Sequence, residues 1–253
     1  MRDIKGRFLW LDLMTSDPAG ARAFYQAVVG WTTSPFRDDY VLFNGPRGAV
    51  GGSMKLDPET QAMGVPPYWM ASIGTPDVDA AVAQVQALGG QVLAPAFDVP
   101  DVGRVAVVTD PSGAAFGLYA PLAALRIDPD VEPGVGELAW AELMTGDREG
   151  VWPFYQQLFG WEHAQSMDMG PMGLYWIFKV GPRPMVGAMM TKPAEMPVSA
   201  WLHYFEVADL DGAIATAMER GGQLQYGPMD VPGDKRVAAF TDPQGAWFAL
   251  HGK

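Results

Sequence analysis

An α+β fold of four βαβββ modules, arranged as two homologous halves, is what this sequence predicts. Three observations lead there. The chain repeats itself: Trp10-Leu11-Asp12-Leu13-Met14-Thr15-Ser16-Asp17 returns as Trp140-Ala141-Glu142-Leu143-Met144-Thr145-Gly146-Asp147, and Phe24-Tyr25 with Gly30-Trp31 returns as Phe154-Tyr155 with Gly160-Trp161. Each half opens with a run of strand period, in which Leu9, Leu11 and Leu13 share one face and Trp10, Asp12 and Met14 the other. Each such run leads into a segment of helical period behind a capping residue.

Taken in order, Ser16-Asp17-Pro18 starts the first helix, since a capping carboxylate followed by proline suits the first turn. Ala21, Phe24, Tyr25 and Val28 keep helical spacing, and Gly30 stops the helix. In the second half Asp147 is the cap, and Val151, Phe154, Tyr155 and Leu158 form the stripe. Pro153 falls inside that helix and is expected to kink or shorten its first turn, at a cost of up to ~3 kcal/mol. Short strands follow at Tyr40–Phe43 and Val50–Met54, matched by Tyr175–Phe178 and Val186–Met190. A second strand–helix unit begins at Trp69, carries Val78, Ala81, Val82, Val85 and Leu88, and turns at Gly89-Gly90. Strands near Val105–Val108 and Ala115–Tyr119 flank the turn Asp110-Pro111-Ser112-Gly113. Trp201, Gly221-Gly222 and Asp242-Pro243-Gln244-Gly245 repeat this unit. Pro121, Pro129, Pro133, Gly134 and Gly136 mark the segment between the halves as a linker. The division is therefore 1–121, a linker at 122–136, and 137–253, with each half expected to pair its own two modules.

A length of 253 residues suits two domains. With 18% charged residues and 49% in the AVILMFWYC group, the chain has ample core and no disorder signature. No apolar run reaches a membrane span, and Met1-Arg2-Asp3-Ile4-Lys5 leads into no signal-peptide core. The net charge of −12, without a basic cluster, argues against nucleic acid and anionic membranes as partners and favours neutral or cationic small ligands. The absence of cysteine excludes disulfides, thiolate metal sites and a cysteine nucleophile, and is compatible with a cytoplasmic protein, monomeric or homodimeric.

The two ordered sets of residues, from Thr15-Ser16-Asp17 through Phe24-Tyr25, Gly30-Trp31 and Gly89-Gly90 to Asp110-Pro111, and from Asp147 to Asp242-Pro243, resemble the vicinal oxygen chelate superfamily of glyoxalase I, bleomycin-resistance proteins and extradiol dioxygenases. More narrowly the chain resembles bacterial two-domain glyoxalase-like proteins. The resemblance implies two half-open barrels whose concave faces hold a ligand, often over a divalent metal. Aligned with the superfamily's metal-binding strands, this chain offers Trp10, Gly52, Met70 and Gly117 in one half and Trp140, Ala188, Leu202 and Ala249 in the other. None of these suits a cation that wants imidazole or carboxylate, so no metal and no other cofactor is expected. Of the three histidines, His163, His203 and His251, His203 is expected on the helix side of its strand, packed with one hydrogen bond, and His251 in the concavity.

Strand parity assigns Trp10, Asp12, Met14, Met54, Met70, Ser72 and Tyr119 to the first concave face. The second receives Trp140, Glu142, Met144, Met190, Leu202, Tyr204, Glu206, Trp247 and His251. Aromatics and methionines with few carboxylates are the usual lining of a small-molecule pocket. The two tryptophans either contact a ligand or plug the space themselves. Asp12 and Glu142 are costly on an inward face unless they are functional or paired, for instance with Arg104 or Arg236. No phosphate loop or nucleophile–base pair is present, and the Asp-Pro-x-Gly sequences are turns. Three readings follow: metal-independent binding of an organic ligand or drug; a metal-independent isomerase or lyase with Asp12 or Glu142 as general base; or an interaction protein on a degenerate fold.

Overall fold

The structure, a computed structural model, describes residues 3–37, 39–122, 128, 130–194 and 196–253; Met1, Arg2 and the linker's Pro129 lie outside them. The first half forms β1 (Phe8–Thr15), α1 (Pro18–Val28), β2 (Thr32–Arg37), β3 (Tyr40–Gly45), β4 (Gly48–Lys55), α2 (Pro58–Ala62), β5 (Tyr68–Gly74), α3 (Val78–Ala87), β6 (Gln91–Val99), β7 (Gly103–Thr109) and β8 (Ala115–Pro121). The second forms β9 (Leu138–Thr145), α4 (Arg148–Phe159), β10 (Glu162–Asp168), β11 (Leu174–Val180), β12 (Arg183–Thr191), β13 (Ala200–Glu206), α5 (Leu210–Glu219), β14 (Gln223–Val231), β15 (Lys235–Thr241) and β16 (Trp247–Gly252). This is the expected α+β architecture: two curled eight-stranded sheets, ordered β2-β3-β4-β1-β5-β8-β7-β6 and β10-β11-β12-β9-β13-β16-β15-β14. No described helix is long and apolar enough to cross a membrane.

Local chemistry explains the elements. Asp17 accepts the Gly20 N–H at 3.1 Å and Asp147 the Gly150 N–H at 2.8 Å, each satisfying an otherwise unpaired donor at a helix start. Helix α4 is not shortened by Pro153, contrary to expectation: it runs unbroken from Arg148 to Phe159. Proline deletes one N–H, and the carbonyl it would have served, on Glu149, belongs to an exposed residue that water can solvate. Burial of Val151, Phe154, Tyr155 and Leu158 then holds the helix in place. The sequence reading missed β2 and β6, which sit at the ends of the first sheet and are mostly exposed. Pro35 and Pro95 are tolerated there because an edge strand has one unpaired side.

Whereas each sheet belongs to one half, the compact units of the chain each take one module from either half. Unit 1 comprises Met1–Leu9, Ala71–Val131 and Ala141–Trp201; unit 2 comprises Trp10–Met70, Glu132–Trp140 and Leu202–Lys253. The expectation that each half pairs its own modules therefore describes the strand hydrogen bonding, and the core packing departs from it.

Reciprocal polar contacts fix this arrangement. In unit 1, Tyr155 of α4 donates its hydroxyl to Asp110 Oδ2 at 3.0 Å; in unit 2, Tyr25 of α1 donates to Asp242 Oδ2 at 3.0 Å. The other oxygen of each aspartate caps its own Asp-Pro turn: Asp110 Oδ1 accepts from the N–H groups of Ser112 and Ala114, and Asp242 Oδ1 from those of Gln244 and Ala246. Trp69 Nε1 donates to the Tyr25 hydroxyl at 2.8 Å. Burial, followed by the neighbouring aspartate, raises both tyrosine hydroxyls well above their ordinary range, so each stays a donor.

Backbone contacts follow the same pattern. Trp161 Nε1 donates to Gly6 O at 2.9 Å in unit 1, and Trp31 Nε1 to Gly136 O at 2.7 Å in unit 2. Gly136 has φ of +82°, and a Cβ there would lie 2.8 Å from Trp31 Nε1, so glycine is required on both grounds. The linker's end is thus docked, with Glu137 buried and ion-paired to Arg47.

Two outcomes follow. Tyr25→Phe and Tyr155→Phe should each destabilise the protein by about 1–3 kcal/mol in denaturant titration, because a buried carboxylate oxygen loses its donor. Fragments 1–125 and 134–253 should fold poorly alone and recover native circular dichroism when mixed, since each unit needs both; independent cooperative melting of either fragment would contradict the packing.

Candidate functional site

The first inward group is built on neighbouring strands of unit 2. Parallel register places Asp12 beside Gly52 and Met14 beside Met54, so these four share a face. Gly52 matters for what it lacks: a Cβ there would come within 2.3 Å of the Tyr40 ring. Its absence lets Tyr40, at the head of β3, donate its hydroxyl to Asp12 Oδ1 at 2.5 Å. Trp10 Nε1 lies 3.2 Å from the same Oδ1 and 2.8 Å from the Tyr40 hydroxyl. Both donors converge on Oδ1, and no described side chain hydrogen-bonds Oδ2. Burial raises the Asp12 carboxyl from 3.8 to about 6, against the opposing pull of the Tyr40 and Trp10 hydrogen bonds. Tyr68, facing the same way as buried Met70, is raised by burial, then by the charges of Asp57 and Asp12.

In unit 1 the same design recurs. Glu142, 4% exposed, aligns with Ala188, and Met144 with Met190. The Tyr175 hydroxyl donates to Glu142 Oε2 at 2.7 Å. Ser72 and Tyr119 are both buried in this unit; Ser72 aligns with Gly117, and the Tyr119 hydroxyl reaches Val102 O at 3.4 Å. Trp140, which falls in unit 2, is half-buried. Neither Arg104 nor Arg236 pairs with the inward carboxylates. Arg104 binds Asp79 and Asp98, and Arg236 binds Asp211, all exposed acids. A tyrosine hydroxyl reaches each of Asp12 and Glu142, and Asp12 accepts from Trp10 Nε1 as well.

A third group occupies β13–β16 in unit 2. Tyr204, Ala249, Ala239 and Tyr226 lie in one row across four strands. The two alanines leave a trough over which the tyrosine hydroxyls meet at 2.6 Å. In the next row Glu206 aligns with His251, whose Nδ1 is 2.5 Å from Glu206 Oε2, while Lys235 Nζ contacts Oε1. Burial alone would raise the Glu206 carboxyl, but hydrogen bonds from His251 and Lys235 hold it below the ordinary range. Leu202, on the same face of β13 by parity, is buried, whereas Trp247 is 48% exposed. His203 is fully buried as expected, but neither ring nitrogen has a hydrogen-bond partner; burial lowers it to about 3, so it stays neutral.

Tyr40, Tyr175, Tyr226 and Lys235 escaped the sequence reading. Tyr40 and Tyr175 carried a signal, heading matching strands of the two halves. Lys235 carried none, because Gly103 opens the corresponding strand of the first half.

The residues present do not fit a superfamily metal. Gly52 is covered by the Tyr40 ring, and a Cβ at Gly117 would meet Ser72 Oγ at 2.2 Å, so neither position has room for a ligating side chain. Among the described residues no three His, Cys, Asp or Glu side chains are grouped to hold a cation.

Residues 9–119 match a family model described as Glyoxalase-like domain, and residues 137–250 one described as Glyoxalase/Bleomycin resistance protein/Dioxygenase superfamily. A Mycobacterium tuberculosis protein named "Putative glyoxylase CFP32" is 36% identical over 251 residues, covering 95% of this chain and 92% of that one. Anthracycline biosynthesis protein DauV of a Streptomyces species is 30% identical over 255 residues, covering 95% and 91%. The Mn(II)-bound glyoxalase from Novosphingobium aromaticivorans superposes with a TM-score of 0.70 at 16% identity, over 98% of this chain and 82% of that one, a likeness of fold.

The Asp12 environment yields a signed pH dependence. With its folded value raised to about 6, Asp12 contributes stability below about pH 4 that is lost as pH rises through 6. Asp12→Asn should therefore stabilise the protein by about 1 kcal/mol near pH 8, discounted for its partial exposure, and by nothing near pH 4. Melting curves at the two pH values check this; an equal effect at both would refute it.

Proposed function

Because this chain belongs to the glyoxalase/bleomycin resistance/dioxygenase superfamily, we propose that it is a small-molecule binding protein that holds an organic ligand without a metal ion. The observation that carries this is the Asp12 group: one carboxylate oxygen held by Tyr40 and Trp10, the other unclaimed by any described side chain. Met14 and Met54 offer adaptable apolar contact on the same face, and the Trp10 ring suits a flat or cationic partner. The overall charge of −12 favours the same class. The anthracycline biosynthesis relative points to a planar, fused-ring aromatic as the ligand. A second reading, proton abstraction from a bound substrate, draws support from the Asp12 carboxyl at about 6, where it is both ionised and usefully basic near neutral pH.

Titration of tryptophan fluorescence with hydroxyanthraquinones, with and without an amino sugar, tests the reading. Asp12→Asn and Tyr40→Phe should weaken binding by about 1–3 kcal/mol, and elemental analysis should find no stoichiometric Zn, Ni, Fe or Mn. Unchanged affinity in both variants, or about one transition metal per half, would overturn it. Deuterium exchange into a bound ligand, lost in Asp12→Asn while affinity persists, would favour the proton-transfer reading.

A further inference from the structure

The two halves differ most instructively at the ends of β13, β15 and β16. In the first half the matching register pairs Gly74 with Tyr119, and Gly103 opens the strand beside them. In the second half those three places hold Glu206, His251 and Lys235. Three polar, ionisable side chains thus stand on one face where the repeat carries two glycines and a tyrosine. Glu206 contacts each of the other two directly and is buried at 10% side-chain exposure.

The backbone holds the group rigidly. Glu206 donates its N–H to Glu137 O at 2.9 Å and accepts the Gly136 N–H at 2.7 Å, while His251 O accepts the Val207 N–H at 2.8 Å. Glu206 meets Lys235 with Oε1 and the His251 Nδ1 with Oε2. A carboxylate on Nδ1 selects the tautomer that carries its proton there, and so leaves Nε2 as a lone-pair acceptor. No described group hydrogen-bonds Nε2, and the His251 side chain is 22% exposed.

We propose that Glu206, His251 and Lys235 form a second polar site, separate in its residues from the Asp12 group, that takes up the proton of an acidic hydroxyl, phenolic or enolic, on a small organic ligand. In this step the ligand O–H bond breaks and an N–H bond forms at His251 Nε2. The electron pair stays on the ligand oxygen as an oxyanion, and no redox partner is involved. Glu206 stabilises the imidazolium through Nδ1–H, and the Lys235 ammonium supplies the compensating positive charge. Glu206 and Lys235 act as positioning residues for His251.

The probe is 4-nitrophenol, whose phenolate absorbs in the visible, titrated below the pH at which it ionises in water. The intact protein should develop the phenolate band on binding. His251→Gln should abolish it, and Glu206→Gln should weaken it about tenfold. His163→Gln, at an exposed position on β10, should leave it unchanged, which separates proton uptake at His251 from the mere presence of an imidazole. Nitrogen-15 NMR of the unmodified protein should show His251 protonated at Nδ1, a readout that needs no variant to fold. A missing phenolate band at the highest soluble probe concentration, a band that survives in His251→Gln, or a ring protonated at Nε2 would each overturn the proposal.

Discussion

The structure turns on a pair of buried hydrogen bonds from tyrosine to aspartate. Tyr25 reaches Asp242 and Tyr155 reaches Asp110, each tying a helix of one half to a turn of the other. An aspartate in an Asp-Pro turn would ordinarily serve its own loop alone. Here one oxygen does so and the other binds a helix from the opposite half, so turn conformation and module packing cannot vary independently. The burial that raises the Asp242 carboxyl shows the cost of the arrangement, and the turn N–H groups and the Tyr25 hydroxyl offset it.

Much of this was legible in the residues. The alternation of Leu9, Leu11 and Leu13 against Trp10, Asp12 and Met14 separated the two faces of β1, with Leu11 and Leu13 buried and the other face half-buried, because a period of two leaves no other choice. The caps at Asp17 and Asp147 and the stop at Gly30 marked the helices. Edge strands were harder, since Pro35 and Pro95 imitate loop signals and neither face is well buried. Module pairing was not legible at all. Tyr25 and Tyr155 sit in equivalent contexts, as do Asp110 and Asp242, so pairing within or across halves satisfies the same pattern of residues.

The candidate site shows a similar division. That Glu206 and His251 share a face, and that Asp12 and Glu142 hold equivalent places on their strands, followed from parity, whereas their partners depended on reach across strands. Tyr40 meets Asp12 only because Gly52 has no side chain, and Tyr204 meets Tyr226 only over two alanines. Gaps of this kind are properties of register, and register emerges from the assembled sheet. The arginines that charge alone suggested went instead to acids beside them on the surface.

The reciprocity of the latches has a further meaning. Residue i of one copy binding residue j of the other, while j of the first binds i of the second, is the signature of an isologous contact between identical subunits. This chain carries that contact within a single polypeptide, where tethering keeps the partners together at any dilution. A dimer of identical subunits must change both its sites with every mutation. Covalent duplication removes that restraint, so that places held by Gly74, Gly103 and Tyr119 in one copy could become Glu206, Lys235 and His251 in the other.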